Sequence, residues 1–145
     1  SYKMITDYWK DTGTPEDIIN ANKAILENII PEFKGGKDPT VSIEGKVSVG
    51  SKTCIGDQVK IKGPVIIGEK CIISGNTVIG PNTSIGNECI ISGGIIRDSI
   101  IMNNCEIDKN VNLRNSIISS NSSIKQNKTE NEQILLLGEG TKISF

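Results

Sequence analysis

The stretch CIISGNTVIGPNTSIGNECII, residues 71–91, places an isoleucine at every sixth position: Ile73, Ile79, Ile85 and Ile91. Neither a β-strand alternation, with period two, nor an α-helix, with period 3.6, produces that spacing. Followed upstream, it runs unbroken through Ile67, Ile61, Ile55, Val49 and Ile43. Two positions before each aliphatic stands a small or β-branched residue: Val41, Val47, Thr53, Val59, Val65, Cys71, Thr77, Thr83 and Cys89. Residues two apart on extended backbone share a side, so both series are expected to face inward. Glycine follows several of the aliphatics, at Gly50, Gly56, Gly68, Gly80 and Gly86, which suits corners needing positive φ or close backbone approach.

A hexapeptide period with short β segments and turns is a signature of a parallel β-helix. In a triangular coil, three repeats make one turn of about 18 residues. Ile43, Ile61 and Ile79 then stack in one column, Val49, Ile67 and Ile85 in a second, and Ile55, Ile73 and Ile91 in a third. A fully buried aliphatic contributes roughly 1.5–3 kcal/mol, and no coil closes its own core, so stability comes from stacking. The phase breaks at SGGIIRDS, where Gly93 and Gly94 precede a shifted set expected at Ile95, Ile101, Ile107 and Leu113; it slips again to Ile118 and Ile124. Corner deletions or insertions explain such slips, because the spacing resumes. The fold class is therefore mainly β, with about five coils between residues 41 and 128.

The flanks read differently. Thr14 is suited to cap a helix, Pro15 to its first position, and Glu16 and Asp17 to its positive end. Ile18, Ile25 and Ile29, flanked by Ile19, Leu26 and Ile30, mark an apolar face, giving a helix from about 15 to 30 that Pro31 stops. A strand or loop to residue 9 and a turn through Asp11 and Gly13 precede it. The expected organisation is a strand-turn-helix segment over 1–34, a linker at 35–40, and a β-helix over 41–145 closed by a cap formed from ILLLGEGTKISF.

Composition excludes several functions. Lysine and arginine total 16 against 17 acidic residues and aromatics are 3%, so neither a basic phosphate-tracking surface nor a base-stacking platform is indicated, and nucleic acid is not an expected partner. No signal-peptide pattern opens the chain and no apolar run approaches the roughly 18 residues a membrane span needs; a cytoplasmic protein without a membrane partner is expected. Cys54, Cys71, Cys89 and Cys105 form no C-x-x-C pair and there is no histidine, which argues against a zinc cluster. Cys71, Cys89 and Cys105 hold inward positions and read as small core fillers; Cys54 falls outside that column and is a candidate free thiol. Asp11 has two readings. It serves the turn before the helix, or it holds Mg²⁺, which takes one or two carboxylates with phosphates and water.

YWKDTGTPEDIINANKAIL, residues 8–26, joined to GPVIIG, VIGPNTSIG and IIRDSIIMNNCEI, resembles the last part of sugar-phosphate nucleotidyltransferases, most closely the long-form glucose-1-phosphate thymidylyltransferases. That resemblance implies a left-handed β-helix. It places Asp11 at the family's Mg²⁺-holding aspartate, with Trp9, Thr12 and Gly13 as its substrate-side neighbours. The implied reaction is attack of glucose-1-phosphate on the α-phosphorus of dTTP, giving dTDP-glucose and pyrophosphate with Mg²⁺ as cofactor. The family's Gly-rich nucleotide loop, phosphate-contacting cation and other metal carboxylate lie upstream of the matching region. This chain is thus expected to be the carboxy-terminal piece, with no catalytic residues of its own and no activity alone. It serves oligomerisation or regulation, and family habit favours a homotrimer. A hexapeptide acyltransferase is the alternative; such enzymes rely on a histidine base, and this chain has no histidine.

Overall fold

The structure, a computed structural model, describes residues 14–125 and the backbone of 136–137 and 142–144. Trp9, Asp11, Thr12 and Gly13 lie outside the described residues. Strands of two or three residues alternate with corners, and every strand pairs in parallel with the strand one coil away. Strands this short carry few hydrogen bonds each, so only repetition makes the sheets. Three sheets result. The first face stacks Glu32–Phe33, Val47–Val49, Val65–Ile67, Thr83–Ile85, Ile100–Ile101, Ile117–Ile118 and Leu136–Leu137. The second stacks Gly36–Lys37, Cys54–Ile55, Ile72–Ile73, Ile90–Ile91, Glu106–Ile107, Ser123–Lys125 and Lys142–Ser144; the third holds Ser42–Glu44, Lys60–Lys62, Val78–Ile79, Ile95–Arg97 and Asn112–Arg114. The chain is a parallel β-solenoid of about five turns with one helix before it.

The interior follows the inward series. Ile43 pairs with Ile61 and Ile61 with Ile79; Val49 pairs with Ile67 and Ile67 with Ile85; Ile55 pairs with Ile73 and Ile73 with Ile91. The small residues two positions earlier are buried from Val47 to Cys89, and the same rule continues with Ser99, Cys105, Val111, Ser116 and Ser122. Buried hydroxyls and thiols need partners, and the corners supply carbonyls. Thr53 donates to the Gly68 carbonyl at 2.7 Å, Ser99 to Arg97 at 2.8 Å, and Ser116 to Arg114 at 2.8 Å.

The phase slip has a different inward residue from the expected one. Ile96, not Ile95, pairs with Ile79 and is fully buried, while Ile95 stands outside and is 37% exposed. The corner Ser92-Gly93-Gly94 is one residue shorter than Ser74-Gly75-Asn76-Thr77. Gly94 takes the inward position that Thr77 holds one coil below, so the next inward residue is two further on, at Ile96. Gly94 has φ +90°, and a Cβ there would run into the Val111 carbonyl. The next corner, Arg97-Asp98-Ser99, is likewise one residue shorter than Gly80-Pro81-Asn82-Thr83, and the shortening is what sets Ile101 over Ile85.

Positive φ does not fall on most of the glycines that follow the aliphatics. It falls on Lys52, Gln58, Lys70, Asn76, Asn82 and Glu88, one position before the small inward residue, and later on Asp98, Asn104, Asn110, Asn115 and Asn121. Asparagine suits this left-handed corner. Gly50, Gly68 and Gly86 instead serve close approach: a Cβ on Gly50 would lie 2.7 Å from the Gly68 carbonyl carbon, and one on Gly68 2.7 Å from that of Gly86.

The helix α1 spans Pro15–Leu26, capped by Thr14, whose hydroxyl oxygen accepts from the Asp17 amide at 3.3 Å. It ends four residues before the expected position 30. Amides of Asn28 and Ile29 reach back only three residues, to Ile25 and Leu26, a tightened last turn, and Pro31 disfavours helical backbone at Ile30. The stretch 35–40, expected as a linker, carries Gly36–Lys37 paired on Cys54–Ile55, and Glu32–Phe33 pairs on Val47–Val49. The solenoid therefore begins at residue 32, because extended backbone here finds a ready sheet edge.

Because Ile96 fills a column and Ile95 does not, their truncations should separate. Ile96→Ala is expected to destabilise by about 2–5 kcal/mol and Ile95→Ala by less than about 0.5 kcal/mol, measured by urea unfolding. Equal effects would refute the register.

Candidate interaction surface

The solenoid core is filled by packed side chains, so among the described residues the candidate surfaces are its three outer faces and corners. The first face is covered. Its outward residues Ser84, Ile100 and Ile117 are buried beneath α1, whose Ile18 and Ile19 cluster with Ile100, Met102 and Ile117. Twelve residues of helix span about 18 Å, close to four coils at about 4.8 Å each, so α1 lies across the coils and ties them together. Its amino end sits over Ile117 and its carboxyl end near the first coils, where the Lys46 ammonium donates to the Glu27 carbonyl at 2.8 Å. A cation at a helix carboxyl end is favourable. Midway, Asn22 is fully buried within the helix's apolar stripe: its Oδ1 accepts from the Ser84 hydroxyl at 2.5 Å and its Nδ2 donates to the Asn82 carbonyl at 3.5 Å. Sequence reading placed only aliphatics on that stripe. The available signal was the exchange of serine for isoleucine among the outward positions Ser48, Ile66, Ser84, Ile100 and Ile117.

The second face is open. Cys54, Ile72 and Ile90 stack outward on adjacent coils, and Ile72 and Ile90 are 50% and 39% exposed. A shallow groove of about 460 Å³ runs beside them past Gly36, Asp38 and Gly75. Asp38 is a turn residue: its Oδ1 accepts from the Thr40 hydroxyl at 2.7 Å and the Thr40 amide at 2.9 Å, and these bonds hold its carboxyl below the usual carboxylate range.

Behind the corner between the first and second faces, the other three thiols form a ladder. Cys71 donates to the Gly86 carbonyl at 3.0 Å, Cys89 to Met102 at 3.0 Å, and Cys105 to Ser119 at 3.2 Å. The Cys105 and Cys71 side chains and then burial push the Cys89 thiol up. A thiolate in this ladder would face carbonyl oxygens and lose its bond, so the three are fillers, as their spacing suggested. Cys54 alone is exposed.

The third face is charged, with Glu44, Lys60, Lys62, Arg97 and Arg114 pointing outward around Val78 and Ile95. At its edge a groove of about 480 Å³ passes Gly93, Ile95 and Lys109. Asn112 Oδ1, beside it, is buried without a hydrogen-bond partner. Among the described residues no three His, Cys, Asp or Glu side chains converge on a point that would hold a metal ion. No described helix is long and apolar enough to cross a membrane. The residues assigned to substrate and metal, Trp9, Asp11, Thr12 and Gly13, are not among those described.

Comparison with known proteins bears on these faces. The family profile described as GMPPB C-terminal domain matches residues 61–144, from the second strand of the third face to the closing strands. The chain belongs to that family. Members of the GMPPB C-terminal domain family are β-helix domains related to sugar-phosphate nucleotidyltransferases, and two curated relatives agree. A glucose-1-phosphate thymidylyltransferase of Streptomyces antibioticus is 38% identical over 47 residues, which take in 32% of this chain and 13% of that protein. The bifunctional protein GlmU of Methanococcus vannielii is 38% identical over 45 residues, 31% of this chain and 11% of that protein. The chain thus aligns with only a small part of either relative. A solved Francisella novicida UDP-N-acetylglucosamine acyltransferase aligns at TM-score 0.40 and 15% identity, over 79% of this chain and 60% of that one.

Two outcomes check this surface. Asn22→Ala leaves the Ser84 hydroxyl without its partner and is expected to cost about 1–3 kcal/mol in urea unfolding; adding Ser84→Ala should return part of that loss. In dilute native solution an aromatic disulfide reagent should titrate one thiol per chain, Cys54, and all four after denaturation. Rapid reaction of a second thiol would contradict the ladder.

Proposed function

We propose that this chain is the carboxy-terminal assembly and regulatory domain of a glucose-1-phosphate thymidylyltransferase. The observation that carries the proposal is the family match over residues 61–144 of the solenoid. In this reading a nucleotide-binding domain upstream joins dTTP to glucose-1-phosphate, releasing dTDP-glucose and pyrophosphate. Binding and orientation of both substrates belong to that domain, as do the cationic groups that neutralise charge on the transferred phosphorus. Mg²⁺ would neutralise charge on the triphosphate there, and Asp11 would be a ligand from this chain. The choice of dTTP and glucose-1-phosphate is supported by the 38% identity to the Streptomyces antibioticus enzyme and by the Trp9-Lys10-Asp11-Thr12-Gly13 run. A cytoplasmic setting follows from a nucleoside triphosphate substrate. What remains for the solenoid is to join copies of the enzyme or to bias the domain it is attached to.

A pyrophosphate assay with dTTP, glucose-1-phosphate and Mg²⁺ tests this. The 145-residue chain alone is expected to release none, while the enzyme carrying the nucleotide-binding domain ahead of it should turn over dTTP in preference to UTP or GTP. Turnover by the isolated chain, or a preference of the whole enzyme for another nucleotide, would sink the respective half of the proposal.

A further inference from the structure

The corner between the second and third faces is uneven. At the levels of Val78 and Asn112 three residues separate the inward ones, Ser74-Gly75-Asn76 and Asp108-Lys109-Asn110, whereas at the level of Ile95 only Ser92 and Gly93 do so. Loss of one residue and of one side chain leaves a recess between two longer corners. A Cβ on Gly93 would lie 3.1 Å from the Lys109 Cβ and 3.8 Å from the Gly75 carbonyl oxygen, so both corners border the space that this glycine leaves. Its φ of +139° reserves the position for glycine. From here the groove of about 480 Å³ opens over Val78 and Ile95, a size within the roughly 300–1,000 Å³ of small-molecule sites.

The polar groups on its walls share a chemistry. Asn76, Asn110 and Asn112 carry neutral amides and Ser92 a hydroxyl, and each of them both donates and accepts hydrogen bonds. Asn112 Oδ1 is buried with no partner, while the residue as a whole is half-buried. Rotation about its broad terminal torsion brings that oxygen to the groove, where a donor on a ligand satisfies it. Val78 and Ile95 supply an apolar floor. One cation, Lys109, lines the groove, and it forms no ion pair among the described residues. The carboxylates of the flanking corners, Asp57 and Asp108, line the grooves of the second face instead, and Asp108 Oδ1 is taken up by the Lys109 amide at 2.9 Å.

We propose that this groove binds a hexose phosphate. Sugar hydroxyls, which donate and accept, match the amides and Ser92, and one of them donates to Asn112 Oδ1. The C–H face of the ring lies on Val78 and Ile95, and the phosphate takes a charge-assisted bond from Lys109. A nucleotide base is a poorer occupant, because no aromatic side chain lines the groove for it to stack on, and a polyphosphate would find a single cation there. The bound sugar bridges three successive coils, at Asn76, Ile95 and Asn112, and so stabilises the solenoid by occupancy. This site goes beyond the function proposed above, which serves only to select the probe. The same moiety occurs as a free sugar phosphate and as one end of a nucleotide sugar.

Titration of the 145-residue chain with glucose-1-phosphate, followed through its backbone amide resonances, is the test. Saturable shifts are expected at Asn76, Gly93, Gly94 and Asn110, with a Kd on the order of 1 mM or below, and glucose or inorganic phosphate alone should bind at least about tenfold more weakly. Lys109→Gln should weaken glucose-1-phosphate about tenfold, to the level of glucose. Asn112→Ala should weaken it about fivefold without lowering the urea midpoint, because the oxygen it removes has no partner in the free protein. Lys70→Gln, which removes the same charge from the corner between the first and second faces, should leave binding unchanged. A parallel titration with dTDP-glucose separates the sources: tighter binding than glucose-1-phosphate assigns the groove to a nucleotide sugar, weaker binding to the free sugar phosphate, and either supports the site. Absence of saturable shifts up to about 10 mM, shifts confined to other surfaces, or an equal response to inorganic phosphate would overturn it. Since no turnover is measured, failure of this site and failure of the pyrophosphate assay are separate results.

Discussion

Stacking of inward side chains at the coil spacing is the constraint on which every other feature depends. Each strand contributes two or three residues and could not stand as part of an isolated sheet. What holds it is a column of isoleucine, valine or leucine continued above and below, with a small residue two positions earlier filling the corner. The columns demand that each coil return to the same angular place, and the corners absorb whatever the sequence adds or omits. Where Ser92-Gly93-Gly94 is a residue short, Gly94 occupies the inward place without a Cβ, and the columns continue through Ile96 and Ile101 unbroken.

Helix α1 turns this repeat into a unit with distinct faces. By lying across about four coils, it couples levels that otherwise touch only their neighbours. The fully buried Asn22–Ser84 bond fixes its placement along the face, since sliding by one coil would leave both groups unpaired in an apolar surround. Once α1 and the starting strands at Glu32–Phe33 and Gly36–Lys37 are bound to the solenoid, residues 15–40 belong to its cooperative structure.

The repeat is readable from sequence because period six has no competing explanation, and the inward series and the filler role of three cysteines follow from it; the cap of α1 is read separately, from Thr14 ahead of Pro15, Glu16 and Asp17. The identity of the inward residue after the slip is not. Ile95 and Ile96 are chemically alike, and only the length of the corner before them decides which one turns in. Assigning the left-handed positions to glycine fails for a related reason: corners of this width place positive φ two residues further on, where Lys70, Glu88 or asparagine accept it. Packing of α1 on the first face is hidden because Ser48 and Ser84 interrupt the outward isoleucines Ile66, Ile100 and Ile117, so the column does not announce a buried face. Of the candidate site, Cys54 and the open second face are visible in the structure, whereas Asp11 and its neighbours rest on resemblance alone.

Surface roles divide accordingly: one face is committed to α1, one is charged, and one is open and carries the exposed Ile72 and Ile90. That division requires α1 to be integral to the solenoid. Native-state hydrogen exchange of the helix amides from Ile19 to Leu26, compared with those of Ser84, Ile100 and Ile90 in the strands, measures it most directly. Exchange of both groups through the same global opening, with equal dependence on denaturant, is the expected result. Helix amides that exchange freely while the strands stay protected would show that the first face is open in solution, and the assignment of faces would fail.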